Sequence, residues 1–200
     1  IPIAEESDLI LSIGQWVIEQ ACHDIQKLEQ LTLPEHFKKI AINISAKQLV
    51  QHDFQHKIMH SIEHNNISAE RLSLELTENL LVENIEDSIK LIAALKANSI
   101  DCSIDDFGTG YSSLTYLKRI PASTLKIDRS FVANIEQSSE SVAIASMIIS
   151  LGKTLKMNVL AEGVETEQEL NCLKELGCYQ YQGYYFTKPL PFDEFVQLLA

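Results

Sequence analysis

Six short runs of the chain alternate apolar and polar residues, and longer segments of helical period separate them. The runs are KIAINIS (39–45), RLSLELTE (71–78), CSIDDF (102–107), TLKIDRS (124–130), NVLAEGVE (158–165) and YQYQGYYF (179–186). Their β-branched, period-two character predicts strands. Residues 9–31, 53–65, 85–97, 139–155, 167–176 and 191–199 carry the apolar spacing that predicts helices. Strand alternating with helix is the pattern of a parallel α/β fold. No Pro/Gly/Ser linker or low-complexity segment interrupts it, so residues 1–200 are expected to form one domain.

A doubly wound sheet and a (β/α)8 barrel both produce this order, and the polar residues within the strands choose between them. Asn43 and Ser45, then Ser73, Glu75 and Thr77, then Lys126 and Asp128 share one parity of their strands, while Ile and Leu take the other. In a barrel the apolar parity packs on the outer helices, and polar groups point inward near the carboxyl ends, where barrel sites form. The expected fold is therefore α/β, a TIM-like (β/α)8 barrel. Six strands do not close eight, and the chain opens on a helix, so about two N-terminal strands are expected to be missing.

Composition narrows the function. At 46% hydrophobic and 22% charged, the chain suits a soluble globular domain. A formal charge of −12 argues against a surface that tracks nucleic-acid phosphates, so no DNA or RNA polymer is expected as partner. An anionic substrate would need a metal. Cys22, Cys102, Cys172 and Cys178 lie far apart with no Cys-x-x-Cys pair, which fits a reducing cytosol better than a disulfide framework or zinc knuckle. The longest largely apolar run, 142–151, is half of the roughly 20 residues that span a bilayer. With no initiator Met and no leader, the chain is expected to begin inside a longer protein.

Acid or amide groups sit at or near the carboxyl ends of five successive strands: Asn43, Glu75 with Glu78, Asp105 with Asp106, Asp128, and Glu162 with Glu165. All offer oxygen, and hard oxygen donors select Mg2+, Mn2+ or Ca2+ over structural zinc. Singly, any of them reads equally as a strand-end cap. The adjacent Asp105 and Asp106, before the small residues of FGTGYSS, suit either a bound cation or a solvated turn. Lys126 is the one cation of the set. It could neutralise a phosphate or orient a water, or form a structural ion pair.

The segments INISAKQL, LELTE, IDDFGTGYSSLTYLK, LKIDRSF, LAEGVET and QGYYFTKPLP carry a specific resemblance. In order and near-spacing they resemble the signature blocks of the EAL domain of cyclic di-GMP phosphodiesterases, over nearly the whole chain. The Glu-Ala-Leu triplet that names the family, with its metal-binding glutamate and nearby substrate-binding arginine, should precede IPIAEES and is not in this chain. The resemblance implies a barrel of the EAL type and metal-dependent hydrolysis of cyclic di-GMP to linear pGpG. It implies two ions, Mg2+ or Mn2+, and inhibition by Ca2+. Asn43, Glu75 and Asp105 match the family's metal ligands, and Asp106 and Glu162 match residues holding the second metal. Lys126 matches the lysine beside the attacking water, so Lys126, Glu162 and Asp106 form the expected catalytic set. Glu165 and Gln182, with Asp128, match the polar surround of the substrate.

Glu78 matches the glutamate that anchors the loop 105–113, which in the family links the metal site to a dimer interface. The expected partners are cyclic di-GMP and a second copy through the loop following Asp106, with fused sensor or cyclase domains upstream. The expected location is the cytoplasm, where upstream segments can tether a full-length protein to the inner membrane. The alternative is a catalytically inactive EAL module that binds cyclic di-GMP or a protein as a sensor. Loss of Asn43, Glu75, Asp105, Lys126 or Glu162 would mark that class, and all five are present. A purely structural fragment is the third reading.

Two other features attract attention. His52, His56, His60 and His64 recur every four residues, so on a helix they share one face and could bind zinc. No His-Glu-x-x-His arrangement supplies an acidic partner, so a solvated helix face is the reading adopted. Trp16 and the cluster Tyr179, Tyr181, Tyr184 and Tyr185 could stack on bases, but core packing and the final strand account for them.

Overall fold

The structure, a computed structural model, describes residues 1–83, 85–110 and 114–199. Six strands form where the alternation predicts them: β1 (Ile40–Asn43), β2 (Leu72–Thr77), β3 (Asp101–Phe107), β4 (Thr124–Ile127), β5 (Asn158–Glu162) and β6 (Gln180–Gln182). The six long helices are α1 (Leu9–Glu29), α2 (Phe54–Asn65), α3 (Ile85–Ala97), α4 (Ser139–Leu155), α5 (Glu167–Glu175) and α6 (Phe192–Leu199). Shorter helices at Pro2–Glu6, Ala46–Leu49, Glu78–Glu83, Leu114–Leu117 and Arg129–Val132 hold too few residues to leave a periodic signal. No described helix is long and apolar enough to cross a membrane.

The chain forms two compact units. The first contains Ile1–Leu76, Glu86–Cys102 and the residues from Pro191; the second contains Thr77–Ile85 and Ser103–Leu190. In the first, β1 and β2 pair in parallel with Ile40 opposite Leu72 and Asn43 opposite Glu75. Helix α1 buries Ile10, Gly14, Ile18, Ala21, Cys22, Ile25 and Leu28, a stripe of three- and four-residue spacing. Facing it, α2 buries Phe54, Ile58 and Ile62. Gly14 is required by a close approach, because a Cβ there would lie 2.1 Å from the Gln48 side chain. Gln48 is buried in turn by its capping box with Ser45. Helix α6 joins this unit through Phe195, whose ring lies edge-on to Phe37 at 6.2 Å, and through Phe192, under the Lys27 ammonium at 4.9 Å.

In the second unit β3, β4, β5 and β6 are parallel and adjacent in chain order. Helix α4 covers β4 and β5 with Ala145, Ile148, Ile149 and Gly152. Its N-terminus is capped by Ser138 Oγ, which accepts from Ser141 N. Helix α5 starts with a capping box in which Thr166 accepts from Glu169 N and Glu169 accepts from Thr166 N. The chain leaving β6 passes very close to the turn after β5: Val164 N donates to Gln182 O and Tyr185 N donates to Val164 O.

Only a residue without a side chain fits at Gly183, since a Cβ would stand 2.1 Å from Val164 O. Gly183→Ala is therefore expected to cost about 1–3 kcal/mol through forced separation of these backbones. Urea unfolding reads this as a lower midpoint, and an unchanged midpoint would refute the close approach.

Candidate active site

Two consecutive carboxylates on a regular strand point to opposite faces. Here β3 departs from regularity. Its pairing with β4 runs Ser103 to Thr124 and Ile104 to Leu125, then resumes with Phe107 opposite Ile127, so β3 carries one extra residue at Asp105–Asp106. Asp106 takes up the irregularity with a left-handed φ of 52°, a conformation that Asp tolerates better than most side chains. Its N–H donates to Asp105 Oδ1 at 3.0 Å. The bulge lets both carboxylates serve one site: oxygens of Asp105, Asp106 and Glu162 all lie within 4.8 Å of one another.

Lys126 and Glu162 reach this site by regular strand geometry. Lys126 on β4 is in register with Leu160 on β5, so Glu162, two residues further on, projects from the same face. Lys126 is 2% exposed, and its ammonium lies 3.0 Å from Asp105 Oδ1 and 2.6 Å from Glu162 Oε1. A buried ammonium is tolerable only with such partners. The carboxylates show the opposite imbalance. Burial pushes Glu162 from an ordinary 4.5 up to about 7; the Lys126 hydrogen bond and charge pull it down, and Asp105 pushes it up again. Asp106 is also raised, first by burial and then by the charges of Asp105 and Asp128. Burial and mutual repulsion thus outweigh one ammonium.

The other residues singled out from sequence fall around these two arrangements. Glu78 is buried at the start of its short helix, and its Oε2 accepts from Gly108 N at 2.9 Å and Gly110 N at 3.4 Å. Gly110 leaves no room for a side chain against Asn79 and Glu78. Of the loop 105–113, residues Tyr111, Ser112 and Ser113 lie outside the described residues. Asp128 does not continue β4, which ends at Ile127; it caps the helix Arg129–Val132, accepting from Ser130 N at 2.9 Å and from Ser130 Oγ. Gln182 lies on β6 opposite Glu162 and is exposed. Glu165 accepts from Arg129 Nη2 at 2.7 Å. In the first unit Asn43 and Glu75 end opposite each other, with Asn43 exposed and Glu75 half-buried.

Two supporting residues were not singled out from the sequence. Glu169, 5% exposed, accepts from the N–H groups of Asn134, Glu165 and Thr166, and so fixes the turn that carries Glu165. Its signal was present as Thr-x-x-Glu, the capping-box spacing. Arg129 fills the space over Gly163, where a Cβ would lie 2.3 Å from its Cγ, and no short motif announces that contact.

Three carboxylates against one ammonium fit an oxygen-liganded divalent cation, because added positive charge offsets the burial and repulsion that raise Glu162 and Asp106 above the ordinary carboxylate range. Known proteins extend this picture. The EAL domain profile matches residues 1–189. Cyclic di-GMP phosphodiesterase NbdA of Pseudomonas aeruginosa is 41% identical over 192 residues, covering 96% of this chain and 24% of NbdA. MucR of the same organism, a bifunctional diguanylate cyclase/cyclic di-GMP phosphodiesterase, is 38% identical over 200 residues, all of this chain and 29% of MucR. A solved structure of the MucR phosphodiesterase in complex with c-di-GMP has a TM-score of 0.91, covering 97% of this chain and 78% of that one at 38% identity. Klebsiella pneumoniae BlrP1, solved as a manganese/cy-diGMP complex, has a TM-score of 0.76 at 27% identity, covering 86% of this chain and 43% of that one.

The site is thus set in an α/β fold of the TIM-like barrel class. The chain belongs to the EAL domain family. It spans about a quarter of the length of NbdA and MucR.

The raised Glu162 has a consequence for stability without metal. A carboxyl whose folded pKa, about 7, exceeds its ordinary 4.5 favours folding fully below about pH 4.5, and that contribution is lost as pH rises through 7. In EDTA, Glu162→Gln should remove this loss, so the variant's urea midpoint falls less than the parent's between pH 4.5 and 7.5. Parallel profiles for the two proteins would sink the assignment.

Proposed function

We propose that this chain is an EAL phosphodiesterase module, residues 1–200 acting as one domain, that hydrolyses cyclic di-GMP to linear pGpG. The observation that carries this reading is the convergence of Asp105, Asp106 and Glu162 on one side of the second unit, with Lys126 in contact with two of them. These carboxylates would hold Mg2+ or Mn2+, two ions in all, with Asn43 and Glu75 proposed as further oxygen ligands from the family pattern. When bound, the ions supply Lewis acidity and a water that deprotonates near neutral pH.

The chain's own groups have distinct parts. Lys126 orients the attacking water and places fixed positive charge where the phosphoryl oxygens become more negative. Glu162, raised to about 7, would give up its proton as the site fills, which ties occupancy to pH. Water adds to phosphorus, the P–O3′ bond breaks, and the 3′ oxygen leaves as a hydroxyl with the proton that water surrendered, leaving the 5′-phosphate of pGpG. Guanine presents N–H donors, which suit the carboxylate and amide oxygens of Asp128, Glu165 and Gln182. Glu78 holds the loop after Asp106 by its glycine N–H groups, and that loop is the proposed homodimer contact. Fused sensor or cyclase domains and a cytoplasmic setting complete the proposal.

The test is incubation with cyclic di-GMP and Mg2+ or Mn2+, following pGpG by chromatography, with Ca2+ expected to suppress turnover. Asp105→Asn removes charge without volume, so it should cut turnover at least about 100-fold and weaken Mn2+ binding in calorimetry while the fold persists. Tight cyclic di-GMP binding without turnover under both ions would instead favour the inactive sensor.

Loop anchoring and ion binding separate in a second pair of variants. Glu78→Ala should lose activity that high Mg2+ partly restores, because mass action refills a site whose ligands remain. Glu75→Ala should be rescued much less, and equal rescue would refute the division of roles.

A further inference from the structure

The histidine row on α2 has partners that its own spacing does not reveal. His60 and His64 line an open cleft of about 380 Å³ together with Glu19 and His23 of α1. Each helix thus contributes one pair four residues apart, the spacing that puts two side chains on one helical face. All four side chains are exposed. Two helices in contact each offer an i,i+4 pair to a shared cleft, which places three imidazoles and one carboxylate on its walls, no three of their donor atoms lying within 4.8 Å of one another as they stand. The carboxylate that lines the cleft comes from the neighbouring helix, at Glu19.

Ring geometry selects which histidines participate. Two imidazoles on one tetrahedral ion place their ring centroids roughly 5 Å apart, given metal–nitrogen bonds of about 2.0–2.1 Å. His60 and His64 stand at 6.0 Å with planes inclined by 32°, so modest side-chain rotation aims their nitrogens at one point. His56 and His60 stand at 6.3 Å with planes only 6° apart, and His56 is not among the residues that line the cleft. Exposed side chains exchange rotamers quickly, so the ion would gather its ligands by side-chain rotation. The Glu19 carboxylate accepts from Gln15 Nε2 at 2.7 Å, which steadies it beside the cleft. Imidazole nitrogen prefers zinc and its late first-row neighbours to Mg2+, a chemistry separate from that of Asp105, Asp106 and Glu162.

We propose that Glu19, His23, His60 and His64 form a surface site for a divalent ion of the zinc class, which ties α1 to α2 in the first unit. The test is titration of the whole chain with Zn2+ at about pH 7.5, by calorimetry and thermal melting, in excess Mg2+ to occupy the carboxylate cluster. Zn2+ should bind and raise the melting temperature, and both effects should persist in Asp105→Asn. The double variant His60→Gln/His64→Gln, and separately His23→Gln on the other helix, should weaken Zn2+ at least about tenfold. Circular dichroism in EDTA should match the parent, since the altered positions are exposed. Equal Zn2+ affinity in the parent and the histidine variants would overturn the site. Loss of Zn2+ binding in Asp105→Asn would overturn it too, by assigning the ion to the carboxylates.

Discussion

The contacts of Lys126, 2.6 Å to Glu162 and 3.0 Å to Asp105, govern the chemistry of the second unit. They tie three neighbouring strands through one side chain, since Asp105 comes from β3, Lys126 from β4 and Glu162 from β5. One positive charge cannot balance three carboxylates. The deficit appears in their acidities: burial and repulsion keep Glu162 and Asp106 above the usual carboxylate range. A divalent cation held by these carboxylates would offset that deficit, so the metal-free fold favours added positive charge at this point.

That charge deficit exists only because the backbone departs from regularity at one point. Without the extra residue in β3 and the left-handed Asp106, one of the two aspartates would face away from Glu162. A strained conformation at a site needs surrounding contacts to hold it. Glu78 supplies one, taking the N–H groups of Gly108 and Gly110 immediately downstream. Its carboxylate is consumed by backbone donors, as is that of Glu169, whereas those of Asp105 and Glu162 face an ammonium and each other. Acids near these strand ends therefore divide into groups that fix loops and groups that concentrate charge.

Six strands and six long helices were legible because each carries enough residues to express a period. The site was legible where parity alone decides direction, as for Lys126. It was illegible where the backbone breaks parity. Nothing in the alternation of β3 states that Asp105 and Asp106 converge; the hint was chemical, two like charges beside a glycine loop. Asp128, two residues beyond Lys126, lies just past the strand end as a helix cap, and its charge still acts on Asp106. Tertiary pairing is the other blind spot. The spacing of His60 and His64 was visible, but the approach of His23 and Glu19 from α1 depends on helix packing.

The same distinction between local and global charge resolves the apparent conflict between an acidic chain and the anionic substrate proposed for it. A net charge of −12 spread over the surface acts through a potential that salt screens within about 8–10 Å, enough to disfavour a long polyanion that must lie along the surface. A small cyclic dinucleotide meets the field within a few ångströms of its phosphate. There Lys126, and divalent ions if the carboxylates hold them, would set the sign, because interactions at such distances in a partly buried site are screened far less. Acidic side chains are then the means of attraction, since without their crowding no cation would be held. The negative balance that disfavours an extended polyanion and the local charge that would receive the proposed phosphodiester arise from the same residue type, sorted by burial.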